Sequence, residues 1–87
     1  MLKENVSITN ETGLHARPAS MLVEKASAYQ SDINLVHQGQ EVNAKSIMGI
    51  MSLGITKDAE VTVQADGEDE KEALETIIEL IESGFGE

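Results

Sequence analysis

The chain has 87 residues, no cysteine and a formal net charge of −10, from 16 acidic and 6 basic residues. The length predicts one domain over residues 1–87, and the lack of cysteine excludes disulfides, thiolate metal sites and a cysteine nucleophile. The acidic charge argues against direct binding of nucleic acid, which needs clustered Lys and Arg. The N-terminus has no apolar run of the signal-peptide kind, and no stretch of the chain is apolar over the length needed to span a membrane. We therefore expect a cytoplasmic protein.

The first half of the chain carries the patterns of a strand, a helix and a hairpin. Residues 6–9 alternate apolar and polar side chains, as a half-buried strand does, and 10–13 are typical turn residues. Apolar residues then recur at helical spacing from Ala16 to Ala26. Residues 33–42 predict a short hairpin with its tight turn at Gln38-Gly39.

The second half predicts a short helix, a strand and a longer helix. The short helix covers 46–53 and the strand covers 60–65, and each is followed by a glycine. The last helix has acidic residues in its first turn, at Asp69, Glu70 and Glu72, which the helix dipole favours, and it stops at Gly84. Its apolar stripe has the spacing i, i+3, i+4 and i+7 and consists of Leu74, Ile77, Ile78 and Ile81.

The order of elements is therefore strand, helix, strand, strand, helix, strand, helix (βαββαβα). Short strands with a hairpin favour an α+β open-faced sandwich, in which a four-stranded antiparallel sheet carries three helices on one face. The other face is left to solvent. Because Tyr29 and Phe85 are the only aromatic residues, we expect a core of Ile, Leu, Val, Met and Ala.

The segment Gly13-Leu14-His15-Ala16-Arg17-Pro18 joins the first strand to the first helix and carries the most chemistry. Gly13 permits an unusual backbone conformation, so His15 falls at or next to the helix N-terminus. The first amides there, those of Ala16 and Arg17, have no partner within the helix and form an anion site with the helix dipole, to which Arg17 adds a forked cation. A neutral imidazole at this place is a suitable nucleophile for phosphoryl transfer, although a histidine before a helix is often only a loop residue or a cap.

The start of the second helix offers another candidate site. Ser46 has the position of an N-cap, which is the commonest role of serine at a helix start. The apolar residues that follow are too many for one face of so short a helix, so some of them must be exposed. We expect a docking patch near His15, because exposed methionines adapt to many partners, and we assign to it Ile47, Met48 and Met51.

Two segments, Gly13–Ala19 and Asn43–Leu53, resemble HPr, the histidine-containing phosphocarrier family of the sugar phosphotransferase system. The resemblance covers the whole chain, including its length and element order. It implies that enzyme I, charged from phosphoenolpyruvate, phosphorylates His15 on Nδ1, that Arg17 contacts the phosphoryl group, and that the IIA domains of sugar permeases receive it. It also implies a monomeric carrier that is not an enzyme and has no cofactor. Ser20 stands where another small residue is common, which affects docking rather than chemistry.

The resemblance is to HPr proteins of Gram-positive type. It implies that the ATP-dependent HPr kinase/phosphorylase phosphorylates Ser46 and that this modification disfavours enzyme I. The modified form is then a co-effector of the catabolite control protein, which links the chain to carbon catabolite repression and to DNA only through a partner.

Three other kinds of protein or site share single features with this sequence. A purely regulatory homologue would act through phosphorylated Ser46, but proteins of that kind lose the histidine that is present here as His15. An acyl carrier is also small and acidic, but it needs an all-helical fold and an Asp-Ser-Leu site, and the strand patterns contradict this. A zinc site built on His15 and His37 lacks further ligands at suitable spacing, and we expect His37 to be a solvated strand residue.

Overall fold

The computed structural model describes residues 1–87 and confirms the α+β sandwich, with a four-stranded antiparallel sheet in the order β1-β4-β2-β3. None of the helices combines the length and the apolar character needed to cross a membrane. The elements in chain order are β1 (Leu2–Ser7), α1 (Ala16–Ser27), β2 (Asp32–His37), β3 (Gln40–Asn43), α2 (Ile47–Ser52), β4 (Glu60–Asp66), α3 (Glu70–Glu82) and a 3-10 turn (Gly84–Gly86).

The sheet presents one apolar face to the helices. Strand β4 lies in the middle, where Val61 pairs with Val6 of β1 and Val63 pairs with Leu35 of β2. All four side chains are buried, because β4 alternates and each of its inward positions meets an inward position of a neighbouring strand. The β2–β3 hairpin closes at the predicted turn, Gln38-Gly39, with φ of 51° and 79°.

The core differs in composition from the sequence prediction. No methionine is fully buried, but Met21 is partly buried and packs against the core. Phe85, which the predicted core composition did not include, is 1% exposed and is one of the largest buried side chains. Gly84 and Phe85 both have positive φ, 71° and 56°, and the chain turns there after α3 and carries the ring into the core.

Strand β1 begins earlier and ends earlier than its predicted range of 6–9. Lys3, Glu4 and Asn5 are exposed on this edge strand, so the apolar alternation that marks a strand is absent from them. Pairing with β4 nevertheless holds them in the sheet. Ile8 is fully buried but lies beyond the strand, where its amide donates to the carbonyl oxygen of Ala59 at 2.8 Å.

Asp69 fixes the start of α3 to the loop that follows α1. It occupies the N-cap position, but its carboxylate accepts hydrogen bonds from the backbone amides of Gln30 and Ser31, both at 2.9 Å, and from the hydroxyl of Ser31. These hydrogen bonds lower the pKa of Asp69 below its ordinary value of 3.8, and the bond from the Ser31 hydroxyl has the largest effect.

We predict that replacing Asp69 with Asn destabilises the protein at pH 7 more than at pH 2.5. The pKa of Asp69 is lower in the folded than in the unfolded chain. Its contribution to the free energy of unfolding is therefore complete above about pH 4 and is lost as the pH falls through the folded pKa. Urea unfolding at both pH values measures this, with Asp32→Asn as a control because Asp32 is exposed and makes no such bonds. An Asp69→Asn effect of equal size at both pH values would contradict the prediction.

Candidate functional site

His15 is the N-cap residue of α1, and its imidazole is exposed. The backbone there is extended, with φ −97° and ψ −165°, and the carbonyl oxygen of His15 accepts the first helical bond from the amide of Ala19 at 2.8 Å. The imidazole itself caps nothing. The ring is therefore held in place through its backbone, while its nitrogens stay open to solvent.

The first amides of α1 are open as well. The helix offers no acceptor to the amides of Ala16 and Arg17, and neither amide donates to a loop. Pro18, in the third helical position, has no amide hydrogen, and its buried ring anchors the first turn to the core. The two amides and the helix dipole thus form a local electropositive site in an acidic chain.

Arg17 is the cation of this site. Its side chain is exposed and takes part in none of the ion pairs of the structure. Two lysines of the chain are engaged, since Lys57 bonds to Glu11 at 2.8 Å and Lys45 donates to the carbonyl oxygen of Tyr29 at 2.9 Å. The guanidinium of Arg17 is therefore available for a forked contact with an anion.

Gly13 sets the position of His15 from the other side. Its φ of 65° lies in the left-handed region, and a Cβ atom at this residue would stand 2.5 Å from the carbonyl oxygen of Ile55 and 2.8 Å from Cα of Thr56. The next residue, Leu14, is buried and donates its amide to the same Ile55 oxygen at 3.1 Å. The segment before His15 is thus pressed directly against the backbone of the loop that follows α2.

A shallow depression of about 310 Å³ opens beside His15. Several of its walls could not be predicted from the sequence, because the loop after α2 carries no recognisable motif and the turn before His15 indicates no pocket. The residues that line the depression are Thr12, Leu14, His15, Met51, Gly54, Ile55 and Thr56.

The residues of the predicted docking patch are on the surface. Met48 is 80% exposed, while Ile47 and Met51 are 40% and 42% exposed. Ile50 and Leu53 of the same segment are buried, so α2 divides its apolar residues between core and solvent. Met51 shares the depression with His15, and α2 packs beside α1, on which Ser20 is also exposed. The structure thus exposes all four side chains and places Met51 beside His15, and their role in docking stays a prediction.

Ser46 is the N-cap of α2, as its place in the sequence indicates. Its Oγ accepts a hydrogen bond from the amide of Gly49 at 3.1 Å, and the residue is half-buried. A Cβ atom at Gly49 would lie 3.3 Å from this Oγ, so the glycine leaves room around the hydroxyl.

The second histidine has different surroundings. His37 is half-buried at the end of β2, and its Nδ1 lies 3.1 Å from the carbonyl oxygen of Glu60, to which it donates. The structure holds no group of three or more His, Cys, Asp or Glu side chains arranged to bind a metal ion. His37 is therefore tied to the sheet and is less solvated than the sequence suggests.

Fold and site together are those of a small α+β phosphocarrier. The family model described as "PTS HPr component phosphorylation site" matches residues 2–83. The chain therefore belongs to the HPr family, the phosphocarriers of the phosphotransferase system (PTS).

Solved structures agree with this family. The chain is 49% identical to an HPr of Thermoanaerobacter tengcongensis, with a TM-score of 0.97 and coverage of 100% of this chain and 98% of that chain. It is 40% identical to the phosphocarrier protein HPr of Bacillus anthracis, with a TM-score of 0.89 and coverage of 92% and 95%. It is also 46% identical to Crh, the catabolite repression protein of Bacillus subtilis described as a domain-swapped dimer, with a TM-score of 0.78 and coverage of 95% of each chain.

Proposed function

We propose that His15 accepts a phosphoryl group from phosphorylated enzyme I in the cytoplasm and passes it to the IIA domains of sugar permeases. One observation supports this more than any other. His15 is the N-cap residue of α1, its exposed imidazole makes no cap bond, and the amides of the next two residues, Ala16 and Arg17, are unpaired.

The proposed transfer needs little beyond positioning. A neutral ring nitrogen of His15 attacks phosphorus, the new N–P bond forms as the bond to the donor breaks, and the electron pair of that bond leaves with the donor. Negative charge is spread over three phosphoryl oxygens, which the two amides and the Arg17 guanidinium stabilise. The acceptor domain reverses these steps, so the chain is a carrier and is itself regenerated unchanged.

Incubation with phosphoenolpyruvate and enzyme I tests this function. We expect intact mass to show one added phosphoryl group that is lost in acid, because phosphohistidine is acid-labile and phosphoserine is not. Addition of a IIA domain should then remove the group at neutral pH. An acid-stable adduct, or none at all, would overturn the proposal.

We predict that Arg17→Gln slows phosphorylation of His15 about ten- to hundredfold, the range expected for loss of a charge-assisted contact. The melting temperature should hardly change, because Arg17 is exposed and makes no ion pair. Rapid-quench kinetics with enzyme I measures the rate. Lys25→Gln, which removes an exposed cation from the far end of α1, is the control, and equal rates for the two variants would refute the role of Arg17.

We also propose that phosphorylation of Ser46 by the HPr kinase/phosphorylase regulates this exchange and recruits the catabolite control protein. The N-cap position supports the proposal, because a phosphate there is favoured by the dipole and the open amides of a helix start. The modification would add roughly 1.5 to 2 negative charges beside Ile47 and Met48 without opposing the fold.

Three substitutions at Ser46 separate charge from capping. Asn and Asp cap as well as Ser, so both should retain stability, while Ala should cost about 1 kcal/mol. We expect Ser46→Asp to be phosphorylated by enzyme I more slowly than Ser46→Asn, which has the same shape and no charge. Steady-state kinetics with enzyme I and urea unfolding give the two quantities, and equal rates for Asp and Asn would exclude electrostatic control.

A purely regulatory role is the second candidate, since Crh is 46% identical to this chain. Such a protein would act through phosphorylated Ser46 and would take no phosphoryl group on residue 15. The acid-lability assay separates the two functions, because only the carrier gains an acid-labile group from enzyme I.

We also predict that the carrier is a monomer, and sedimentation equilibrium measures its oligomeric state.

A further inference from the structure

The methionines of this chain divide between solvent and core. Met48 is 80% exposed, Met1 is 69% exposed and Met51 is 42% exposed, whereas Met21 is partly buried and packs against the core. A thioether that faces solvent is open to oxidants, while one that packs into the core is shielded from them. The chain has no cysteine, so no thiol competes for an oxidant. Oxidation should therefore fall on three of the four methionines.

Two of these exposed methionines belong to α2, beside the phosphoryl site. Met51 lines the depression that His15 also lines. Met48 precedes Met51 by three residues in α2, a spacing that places both side chains on the same side of the helix. A donor that brings a phosphoryl group to His15 has to enter this depression, so it must cover Met51.

Oxidation of these two side chains would change the surface and leave the core intact. A sulfoxide replaces an apolar thioether by a polar group. The side chains that anchor α2 are those of Ile50 and Leu53, which are buried and carry no sulfur. The N-cap bond of the helix, from the amide of Gly49 to Oγ of Ser46, involves neither methionine. The fold should therefore be retained while the surface beside His15 becomes more polar.

We propose that Met48 and Met51 form a modification site for peroxides, and that their oxidation weakens docking of the phosphoryl donor on His15. The inference rests on the proposed function of His15. A sulfoxide that the donor covers without a hydrogen-bond partner makes docking less favourable than an apolar thioether does.

The modification needs only hydrogen peroxide as co-reactant. A lone pair of the thioether sulfur attacks one peroxide oxygen, and the S–O bond forms as the O–O bond breaks. The transferred oxygen gives its proton to the departing hydroxide, which leaves as water. Sulfur loses two electrons and the peroxide gains them, so the products are one sulfoxide and one water.

Peptide mapping after limited treatment with hydrogen peroxide tests where the oxygen is added. We expect one added oxygen on each exposed methionine and slower modification of Met21. Met1 is an internal control for reactivity away from the site, because it precedes β1 while His15 follows the opposite end of that strand. Oxidation of Met21 as fast as that of Met51 would overturn the assignment of the site.

Steady-state kinetics with phosphorylated enzyme I tests the effect on docking. We expect oxidation to raise the KM for the wild-type chain about five- to fiftyfold, the range for covering an unpaired polar group. The kcat should change little, because the nucleophile His15 is unaltered and only binding is lost. Methionine sulfoxide reductase should restore the original KM.

The double variant Met48→Leu/Met51→Leu is the matched control. It keeps Met1 and Met21 but has no sulfur beside His15. Its KM is compared before and after the same treatment, so any effect of the substitutions themselves cancels. We expect peroxide to leave the KM of this variant unchanged.

The outcomes separate this inference from the function on which it rests. An unchanged KM in a wild-type chain that is oxidised at Met48 and Met51 would overturn the inference. An equal rise in the double variant, a rise that the reductase does not reverse, or a treated chain that has lost its fold would also overturn it. An untreated chain that takes no acid-labile phosphate from enzyme I would instead refute the proposed function.

Discussion

His15→Ala should give a folded protein that takes up no acid-labile phosphate from enzyme I. The imidazole provides the proposed nucleophile and has no neighbour that could replace it, since the other histidine, His37, is bonded to the backbone of β4. Phosphorylation of Ser46 by its kinase should continue in this variant. Intact mass before and after acid treatment distinguishes the two modifications.

The stability of His15→Ala should stay within about 0.5 kcal/mol of wild type, because the imidazole is exposed and caps nothing. His37→Ala is the matched control and should still be phosphorylated by enzyme I. An acid-labile adduct that persists in His15→Ala and disappears in His37→Ala would show that His37, and not His15, carries the phosphoryl group.

Gly13→Ala should produce the largest loss of stability among the site variants. The left-handed φ of 65° costs an alanine about 1–2 kcal/mol, and the close approach to Ile55 and Thr56 adds an overpacking cost of about 1–3 kcal/mol. Because the opposing atoms belong to backbone, they cannot move aside as a flexible side chain could. The turn must shift, and His15 should shift with it, so the rate of phosphorylation should fall as well.

Gly39→Ala separates the two costs. Gly39 has a similar φ of 79°, but a Cβ atom there would have no neighbour within 4 Å, and the residue lies in the β2–β3 hairpin. We expect Gly39→Ala to lose about 1–2 kcal/mol in urea unfolding and to keep its rate of phosphorylation by enzyme I. If Gly13→Ala lost no more stability than Gly39→Ala and kept the wild-type rate of phosphorylation, the packing of the turn on Ile55 would have no effect on the site.

The fold could be predicted from the sequence where the signals are local. The stripe of α3, the alternation of β4 and the Gln38-Gly39 turn each act within a few residues, and the structure confirms all three. The start of β1 could not be predicted, because an edge strand with exposed side chains owes its conformation to pairing with β4. The burial of Phe85 depends on a turn after α3 that no periodicity marks.

Some residues of the candidate site could likewise be predicted from local sequence patterns, and others could not. His15 and Arg17 could be found from sequence because one helix start brings them together. The contact of Ile55 with the site depends on a hydrogen bond to Leu14 across the fold, and the hydrogen bond of Thr12 to Glu87 also joins segments that lie far apart in the sequence. Neither pairing leaves a local pattern, since it is tertiary packing that joins these segments.

The direct test of the phosphoryl site is the position of phosphorus on the protein. After phosphorylation by enzyme I, nuclear magnetic resonance of the ¹⁵N-labelled chain should show phosphorus coupled to Nδ1 of the exposed His15 ring. The signal should vanish on mild acid treatment while the fold is retained. Phosphorus coupled to a nitrogen of His37, or bound only as an acid-stable ester, would contradict a carrier built on an imidazole in front of open helix amides.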